Sequence, residues 1–195
     1  MTRDILLVTG VSSCGKDFLL DAAKRHDSRI GMGIPVVSMG SAIVAKMNQT
    51  SVEGRTDRDR IKHLVSNDTM RGIVRSIVAD LVEYPAAIVN GHITYRQQGE
   101  LISNPDIDSE FNPAAYAVVV ADPKHIALWR TSDLARSREA ETIDQIAYHQ
   151  DFTIQTAERM ATILGAQCRI IENIPGNAGN SSLALATMVS NICPK

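Results

Sequence analysis

The chain has 195 residues, of which 20 are basic and 22 acidic, so its formal net charge is −2. This length is enough to bury one core, and the near balance of charge disfavours DNA, RNA or an anionic membrane as a partner. Cys14, Cys168 and Cys193 are few, odd in number and without metal-binding spacing, which favours a reducing cytoplasm over a disulfide framework. We predict neither a membrane span nor a signal peptide, because the apolar runs are too short.

The first predicted strand, residues 5–9, leads into the segment GVSSCGKD at residues 10–17, after which a helix is predicted. The segment fits G-x-x-x-x-G-K, the pattern of a phosphate-binding loop. Gly10 and Gly15 allow the backbone to curl around phosphate groups, and Lys16 adds a mobile charge beside the positive end of the helix. The alternative is an ordinary glycine-rich turn.

Asp17 is the unusual residue of this loop, because the motif normally has a serine or threonine whose hydroxyl contacts Mg²⁺. A carboxylate there brings negative charge close to phosphate, yet it can bind the metal directly or through water. Asp17 is therefore the predicted metal ligand. The residues predicted to bind a phosphate-bearing cofactor are Gly10, Val11, Ser12, Ser13, Cys14, Gly15, Lys16, Asp17 and Phe18.

A second strand is predicted at residues 36–39, and a basic cluster follows it along the chain. If this cluster lies in the binding cleft, one or two of its members hold the phosphate of an acceptor. Most of such a run normally lies on the surface, which is the alternative for each member. The cluster consists of Arg55, Arg58, Arg60, Lys62, His63 and Arg71.

Apolar residues spaced at three and four predict a helix over residues 70–82, and the third predicted strand, residues 86–90, ends in Asn90-Gly91-His92. Polar residues at the carboxyl end of a strand often line a site, so His92 is a candidate for holding an acceptor or for catalysis. A hydrogen-bonded structural histidine is the alternative. Residues 97–113 contain glycine and prolines and are predicted to form a loop.

A fourth strand is predicted at residues 116–121, and the arginine-rich segment at residues 129–141 is predicted to be a lid. Arg130, Arg136 and Arg138 are its candidate catalytic residues, because phosphoryl transfer needs cations that close over the transferred group. The alternative is a solvated helical face. On such a face the acidic partners are Asp133, Glu139 and Glu141.

A long helix is predicted at residues 143–164, where Gly165 suits the helix end, and the last strand is predicted at residues 169–172. Residues 172–177 follow this strand and have two predicted roles. They wrap around a flat base and bind its edge through backbone amides, or they form an ordinary turn. The alternation predicts an α/β fold: a three-layer domain with a five-stranded parallel sheet, helices on both faces and binding at the carboxyl ends of the strands. We expect a single domain over residues 1–195.

The order and spacing of these motifs resemble the archaeal-type adenylate kinases, a branch of the P-loop nucleoside monophosphate kinases with a short lid. The resemblance covers nearly the whole chain. It rests on VTGVSSCGK at the start, Ser38-Met39-Gly40, DRDRIKHL at residues 57–64, IVNGH at residues 88–92, the R-x-x-D-x-x-R-x-R frame from Arg130 to Arg138, His149-Gln150, and IIEN at residues 170–173.

The resemblance implies a kinase that binds ATP and Mg²⁺ on the loop and AMP, or another small-molecule acceptor, between the second and third strands. It places Gly40, Arg58 and His92 on the acceptor side and Asn173 on the ATP side, with the lid arginines closing over the transferred phosphate. It also implies residues 40–83 as acceptor-side helices. Archaeal members of this family are known to form trimers, so a homo-oligomer is expected here only by analogy.

The chain departs from the family pattern around the proposed chemistry. Asp17 replaces a hydroxyl residue, Asn90 replaces an aspartate, Lys62 replaces an arginine, and Thr153-Ile154 replaces an Asn-Arg pair. Loss of that arginine removes a charge that no neutral side chain supplies. The departures leave two alternatives open: a nucleotide-binding module with weak or lost transferase activity, and a P-loop kinase acting on a non-nucleotide small molecule.

Overall fold

The computed structural model describes residues 4–50, 66–97, 99–103, 110–132 and 141–193. The strands in chain order are β1 (Asp4–Thr9), β2 (Val36–Ser38), β3 (Ala86–Asn90), β4 (Thr94–Gln97), β5 (Glu100–Ser103), β6 (Ala115–Val120) and β7 (Gln167–Glu172). Five of them form a sheet in the order β2-β3-β1-β6-β7, in which every pair is parallel. The other two, β4 and β5, pair as an antiparallel hairpin.

The described residues form six α-helices that cover both faces of the sheet. In chain order they are α1 (Lys16–Ala23), α2 (Met39–Thr50), α3 (Asn67–Asp80), α4 (Pro123–Ser132), α5 (Ile143–Leu164) and α6 (Ala178–Ile192). The longest, α5, has strong local signals at both ends. Thr142 and Gln145 form a reciprocal capping box at its start, and Gly165 ends it in the left-handed conformation with φ of 67°.

Two apolar cores lie on opposite faces of the sheet because side chains alternate along each buried strand. One core joins Leu6, Val8 and Val119 to residues of α1, α6 and α4, such as Leu19 and Leu185. The other core joins the alternate strand residues to α3 and α5. The layered arrangement leaves the carboxyl ends of the strands as the edge where the loops after β1, β3, β6 and β7 meet.

The predicted fold class is confirmed, and the five predicted strands occur in the sheet within a few residues of their expected limits. The second strand is shorter than expected, because Met39 is the first residue of α2 rather than the end of β2. The loop predicted over residues 97–113 is wrong in part: β5 lies within it, and Gly99, with φ of 85°, makes the turn from β4. Strands of four residues are too short to reveal alternation.

The described part of the chain contains no helix that is both long and apolar enough to cross a membrane. All three cysteines are free thiols. Burial raises the pKa of both Cys168 and Cys193 to about 11, so these two remain protonated near neutral pH.

Candidate active site

The loop after β1 has the backbone geometry of an anion-binding cradle. Gly10 has φ of 144°, Ser13 of 66° and Gly15 of 93°, so residues of positive φ alternate with others, a pattern typical of loops whose backbone amides bind an anion. The helix α1 begins directly after Gly15. Its positive end and these backbone amides make this loop suitable for phosphate groups.

Both glycines of the motif are required by close neighbours. A Cβ on Gly10 would lie 2.3 Å from the Val119 carbonyl oxygen, and one on Gly15 would lie 2.0 Å from Nδ2 of Asn173. The Asn173 amide donates a hydrogen bond of 2.9 Å to the Cys14 carbonyl and is buried. Asn173, which was expected on the ATP side, therefore holds the phosphate-binding loop against the end of β7.

Lys16 is buried, with 8% of its surface exposed, and its ammonium contacts the backbone of the loop. Nζ donates to the Gly10 carbonyl at 3.0 Å and to the Val11 carbonyl at 3.1 Å. Nζ also contacts Sγ of Cys14 at 3.8 Å, so these partners in the loop are neutral and an anion in the cradle would be a stronger one. Phe18 lies in the first turn of α1 with 58% of its surface exposed.

Asp17 and Asn90, two of the departures from the family pattern, contact each other. The Asn90 amide donates a hydrogen bond of 2.5 Å to Oδ1 of Asp17, which joins the end of β3 to the first turn of α1. The pair offers carboxylate and amide oxygens, the hard ligands that Mg²⁺ prefers. The residues present thus fit a magnesium ion held beside the phosphate cradle.

His92 supports the loop from the β3 side. Its Nδ1 donates a hydrogen bond of 2.7 Å to the Gly10 carbonyl, the same oxygen that accepts from Lys16. The contact agrees with the alternative of a hydrogen-bonded structural histidine. It fixes the ring beside the cradle, between the ends of β1 and β3.

Arg130, in the last turn of α4, reaches the loop from the β6 side. Its Nε and Nη2 both donate to the Ser12 carbonyl at 3.2 Å. Its Nη1 donates at 2.5 Å to Oε2 of Glu141, and the two side chains are 11% and 7% exposed. The expected acidic partner of Arg130 is therefore present, but the pair is buried rather than part of a solvated face.

Glu141 is the centre of a polar network that sequence reasoning missed. Its other carboxylate oxygen, Oε1, accepts from Nε of Arg96 at 3.2 Å and from Nδ1 of His149 at 3.3 Å. Burial acts to raise the pKa of Glu141, but hydrogen bonds from His149 and Arg130 outweigh it and hold the pKa at about 2. Glu141 is consequently ionised at neutral pH and binds both arginines.

The network continues into α5 at the position where the Asn-Arg pair is replaced. The Thr153 hydroxyl lies 2.6 Å from the Thr94 hydroxyl, which itself lies 3.4 Å from Nε2 of His149. Thr153 is buried, whereas Ile154 faces a cavity. The two replacements thus contribute a hydroxyl contact and an apolar wall, and no charge.

A cavity of about 460 Å³ lies beyond the carboxyl ends of β6 and β7. Its walls include His125 from α4, Ile154 from α5 and the segment Asn173-Ile174-Pro175 after β7. Nδ1 of His125 is buried without a hydrogen-bond partner among the described residues, and the ring stacks on Trp129 with centroids 5.9 Å apart. A buried nitrogen of this kind needs a hydrogen-bond partner, which a water molecule or a ligand in the cavity would supply.

Some backbone groups around this cavity already have partners. The Gln150 side chain accepts from the Ala121 N–H and donates to the Ala121 carbonyl, each at 2.9 Å. The backbone N–H of Asn173 donates to the Val120 carbonyl at 2.7 Å, and Ser181 donates to the Glu172 carbonyl. Recognition of a base edge by the backbone amides of residues 172–177 stays a prediction.

Several predicted site residues lie outside the described ranges. These are Arg58 of the acceptor side, Arg136 and Arg138 of the lid, and Lys62. The described start of the predicted lid, Trp129 to Ser132, is the last turn of α4. Gly40 is the second residue of α2, which begins directly after the end of β2.

A parallel sheet of this order, with a phosphate-binding loop and buried lysine after the central strand, defines a P-loop kinase. Residues 9–147, more than half of the chain, match the family described as "AAA domain". The chain belongs to this P-loop family and, within it, to the archaeal-type adenylate kinases, as similarity to curated relatives shows.

Two of these relatives are archaeal proteins named adenylate kinase. The one from Thermoplasma volcanium is 30% identical over 174 residues, 87% of this chain and 91% of its own length. The one from Methanococcus aeolicus is 28% identical over 182 residues, 90% of this chain and 92% of its own length. A shikimate kinase from Acinetobacter baumannii, solved with shikimate, has the same fold with a TM-score of 0.61 at 11% identity, covering 100% of this chain and 97% of its own.

Proposed function

We propose that the chain transfers the γ-phosphoryl group of ATP to a nucleoside monophosphate, with AMP as the preferred acceptor. The observation that carries the proposal is that Lys16 and Arg130 both contact the backbone carbonyls of the loop after β1, while Asp17 lies in the first turn of the helix that follows it. These groups have the chemistry that phosphoryl transfer needs: cations for the developing charge and a carboxylate for the metal. The archaeal relatives support the choice of a nucleotide as acceptor.

On the donor side, the loop amides and Lys16 would hold the β and γ phosphates. Phosphate oxygens replace the Gly10 and Val11 carbonyls as partners of the Lys16 ammonium, because an anion attracts it more strongly than neutral oxygens do. Arg130 already contacts the loop through the Ser12 carbonyl, and we propose that its guanidinium binds phosphate there. Arg136 and Arg138, which lie outside the described residues, are proposed to close over the transferred group.

On the acceptor side, the monophosphate would lie between the ends of β2 and β3. Gly40, at the start of α2, offers backbone near a helix N-terminus, and Arg58 is proposed as the cation that holds the acceptor phosphate. His92 positions the loop through Gly10 and borders this space. No general base is required, because an acceptor phosphate is ionised near neutral pH and positioning carries most of the work.

Asp17 is the proposed magnesium ligand, with Asn90 orienting its carboxylate. Mg²⁺ bound with ATP would neutralise charge on the β and γ phosphates. The base of ATP is proposed to occupy the cavity beyond β6 and β7, where His125 and the apolar walls of Ile154 and Ile174 face it. Free thiols at all three cysteines suit the proposed cytoplasmic location.

The test is a kinase assay on the purified chain with ATP, Mg²⁺ and a panel of nucleoside monophosphates and phosphorylated metabolites. We expect ADP formation that depends on AMP, and we expect Lys16→Ala to abolish it without unfolding the protein. Lys24→Ala is the matched control, because Lys24 makes an exposed ion pair with Asp21 immediately after the same helix. Undiminished turnover by the Lys16→Ala variant would overturn the proposal.

One observation favours a second candidate, a nucleotide-binding module with weak or lost transferase activity. Helix α5 presents Thr153 and Ile154, both neutral, where the family pattern has Asn-Arg. The same assay separates the candidates. Tight ATP binding without acceptor-dependent ADP formation supports the module, whereas turnover with a non-nucleotide acceptor supports a kinase of different specificity.

A further inference from the structure

Two arginines from distant parts of the chain share one buried carboxylate next to the phosphate-binding loop. Nε of Arg96, on β4, lies 3.2 Å from Oε1 of Glu141, and Nη1 of Arg130 lies 2.5 Å from Oε2 of the same residue. Arg130 also contacts the Ser12 carbonyl of the loop. Arg96 is therefore linked to the loop through Glu141 and Arg130.

The hairpin that carries Arg96 is fixed in this position by contacts to α5. Thr94, two residues earlier and on the same face of β4, hydrogen-bonds with Thr153 at 2.6 Å and lies 3.4 Å from His149. Arg96 also donates to the Gly99 carbonyl across the hairpin turn. These contacts hold the guanidinium in one place, which reduces the entropy lost when it binds a ligand.

The charge of this cluster makes it suitable for an anion. Glu141 contributes one negative charge and the two guanidiniums two positive charges, so the three side chains carry a net charge of +1 when His149 is neutral. Their exposed fractions are 13% for Arg96, 11% for Arg130 and 7% for Glu141, so water screens this charge weakly. A guanidinium has five N–H donors, and the contacts to Glu141 and Gly99 use two of those on Arg96.

We propose that Arg96 is a further catalytic residue, which binds the transferred phosphoryl group together with Arg130, and that Glu141 positions both guanidiniums. This inference rests on the proposed kinase function. In the reaction, the bond between the γ-phosphorus and the β–γ bridging oxygen breaks while an oxygen of the acceptor phosphate bonds to that phosphorus. The attacking oxygen of the acceptor loses one negative charge, and the former bridging oxygen of the donor nucleotide gains it. The paired guanidiniums stabilise the charge that is spread over the phosphoryl group during transfer.

The test compares Arg96→Ala, Arg96→Lys and Glu141→Gln with wild type, using the acceptor that the kinase panel identifies. Arg75→Ala is the matched control, because Arg75 pairs with Glu110 and its side chain is 64% exposed. We expect Arg96→Ala to lower kcat by about 100-fold or more while the ATP dissociation constant changes by less than about threefold. Arg96→Lys should recover part of kcat, since it restores charge without the planar fork.

Binding of ADP with aluminium fluoride and the acceptor, a mimic of the planar phosphoryl group, supplies a readout that does not depend on turnover. We expect Arg96→Ala and Glu141→Gln to reduce the affinity for this mimic more than they reduce the affinity for ATP. Circular dichroism verifies folding, and Arg96→Gln, which is also neutral, replaces the alanine variant if that variant unfolds. Wild-type kcat and mimic affinity in folded Arg96→Ala or Arg96→Gln overturn this assignment alone, whereas an inactive wild-type chain overturns the proposed function and this assignment with it.

Discussion

The side-chain amide of Asn90 donates a hydrogen bond of 2.5 Å to the carboxylate of Asp17, so the acid and the amide lie at the two ends of one contact. The family pattern has its acid on the β3 side and a hydroxyl on the α1 side. Here the acid is on α1 and the neutral partner on β3. The chain thus keeps one carboxylate next to the cradle, but this carboxylate belongs to α1 instead of β3.

We predict from this exchange that Asp17→Asn weakens magnesium-dependent ATP binding by about tenfold or more, and that Asp17→Asn combined with Asn90→Asp restores most of it. Titration calorimetry of ATP with and without Mg²⁺ measures the effect, and Mn²⁺ provides a spectroscopic probe of the metal. Asp21→Asn, an exposed acid of α1, is the control. Equal ATP affinity of wild type and Asp17→Asn in the presence of Mg²⁺ would contradict the metal role.

A second prediction concerns Gly15, whose missing Cβ leaves room for Nδ2 of Asn173. Gly15→Ala forces an overlap at 2.0 Å and strains a residue with φ of 93°. We expect a loss of about 1–3 kcal/mol in the free energy of unfolding, together with weaker ATP binding.

Gly72 provides the matched control, because it lies within α3 with no atom within 4 Å of an added Cβ. Gly72→Ala should raise the free energy of unfolding by about 0.5–1 kcal/mol and leave ATP binding unchanged. Urea unfolding and calorimetry measure both variants. A Gly15→Ala protein that matches wild type in both measurements would show that Asn173 does not constrain the loop.

The cavity beyond β6 and β7 leads to a third prediction, since its wall includes His125 stacked on Trp129, the one tryptophan of the chain. If the base of ATP binds there, adenosine alone should change the emission of Trp129. His125→Ala should weaken the affinity for ATP by about tenfold, because one hydrogen bond to a buried nitrogen is lost. Affinity for inorganic tripolyphosphate should stay at the wild-type value, because it engages only the loop.

His26→Ala is the control for this experiment, because His26 lies near Ser182 on α6 and does not line the cavity. Unchanged Trp129 emission at saturating ATP, together with wild-type ATP affinity of His125→Ala, would place the base elsewhere.

Local sequence signals were sufficient to predict the sheet, the phosphate-binding loop and the ends of α5, because apolar runs, glycines and caps act over a few residues. They could not reveal Glu141 as the residue that joins Arg96 to Arg130, since the three lie on separate elements that only the fold brings together. The segment around Arg130 was predicted to be a lid, and only the alternative, a solvated helical face, gave Arg130 an acidic partner. Burial of that pair depends on the packing of α4 against α5, which has no local pattern.

His125 was missed for a different reason. It stands in the first turn of a helix and carries no motif, so its sequence context is that of an ordinary surface position. Its place in the cavity wall, with Nδ1 buried and without a partner among the described residues, is what makes it a candidate. Orphan polar atoms depend on tertiary packing and cannot be read from composition or periodicity.

The final prediction concerns acid. Hydrogen bonds from Arg29 lower the pKa of Asp27 from 3.8 to about 2. Hydrogen bonds from His149 and Arg130 outweigh burial and lower the pKa of Glu141 from 4.5 to about 2. Both acids are ionised more readily in the folded chain than in the unfolded chain, so their contribution to stability is complete above pH about 5 and is lost as the pH falls toward 2. Arg29 also donates to the Cys193 carbonyl at 2.7 Å, which ties the segment after α1 to the end of α6.

We therefore expect the urea midpoint of the wild-type chain to fall steeply between pH 5 and pH 2. Asp27→Asn should lower the midpoint at pH 7 and should converge with wild type near pH 2, because the lost ion pair contributes nothing once Asp27 is protonated. Asp21→Asn should follow wild type at every pH, since the Asp21 side chain is 75% exposed and its ion pair with Lys24 is screened by solvent. A midpoint difference between Asp27→Asn and wild type that is the same at pH 7 and pH 2 would mean that Asp27 stabilises the fold through packing rather than through its charge.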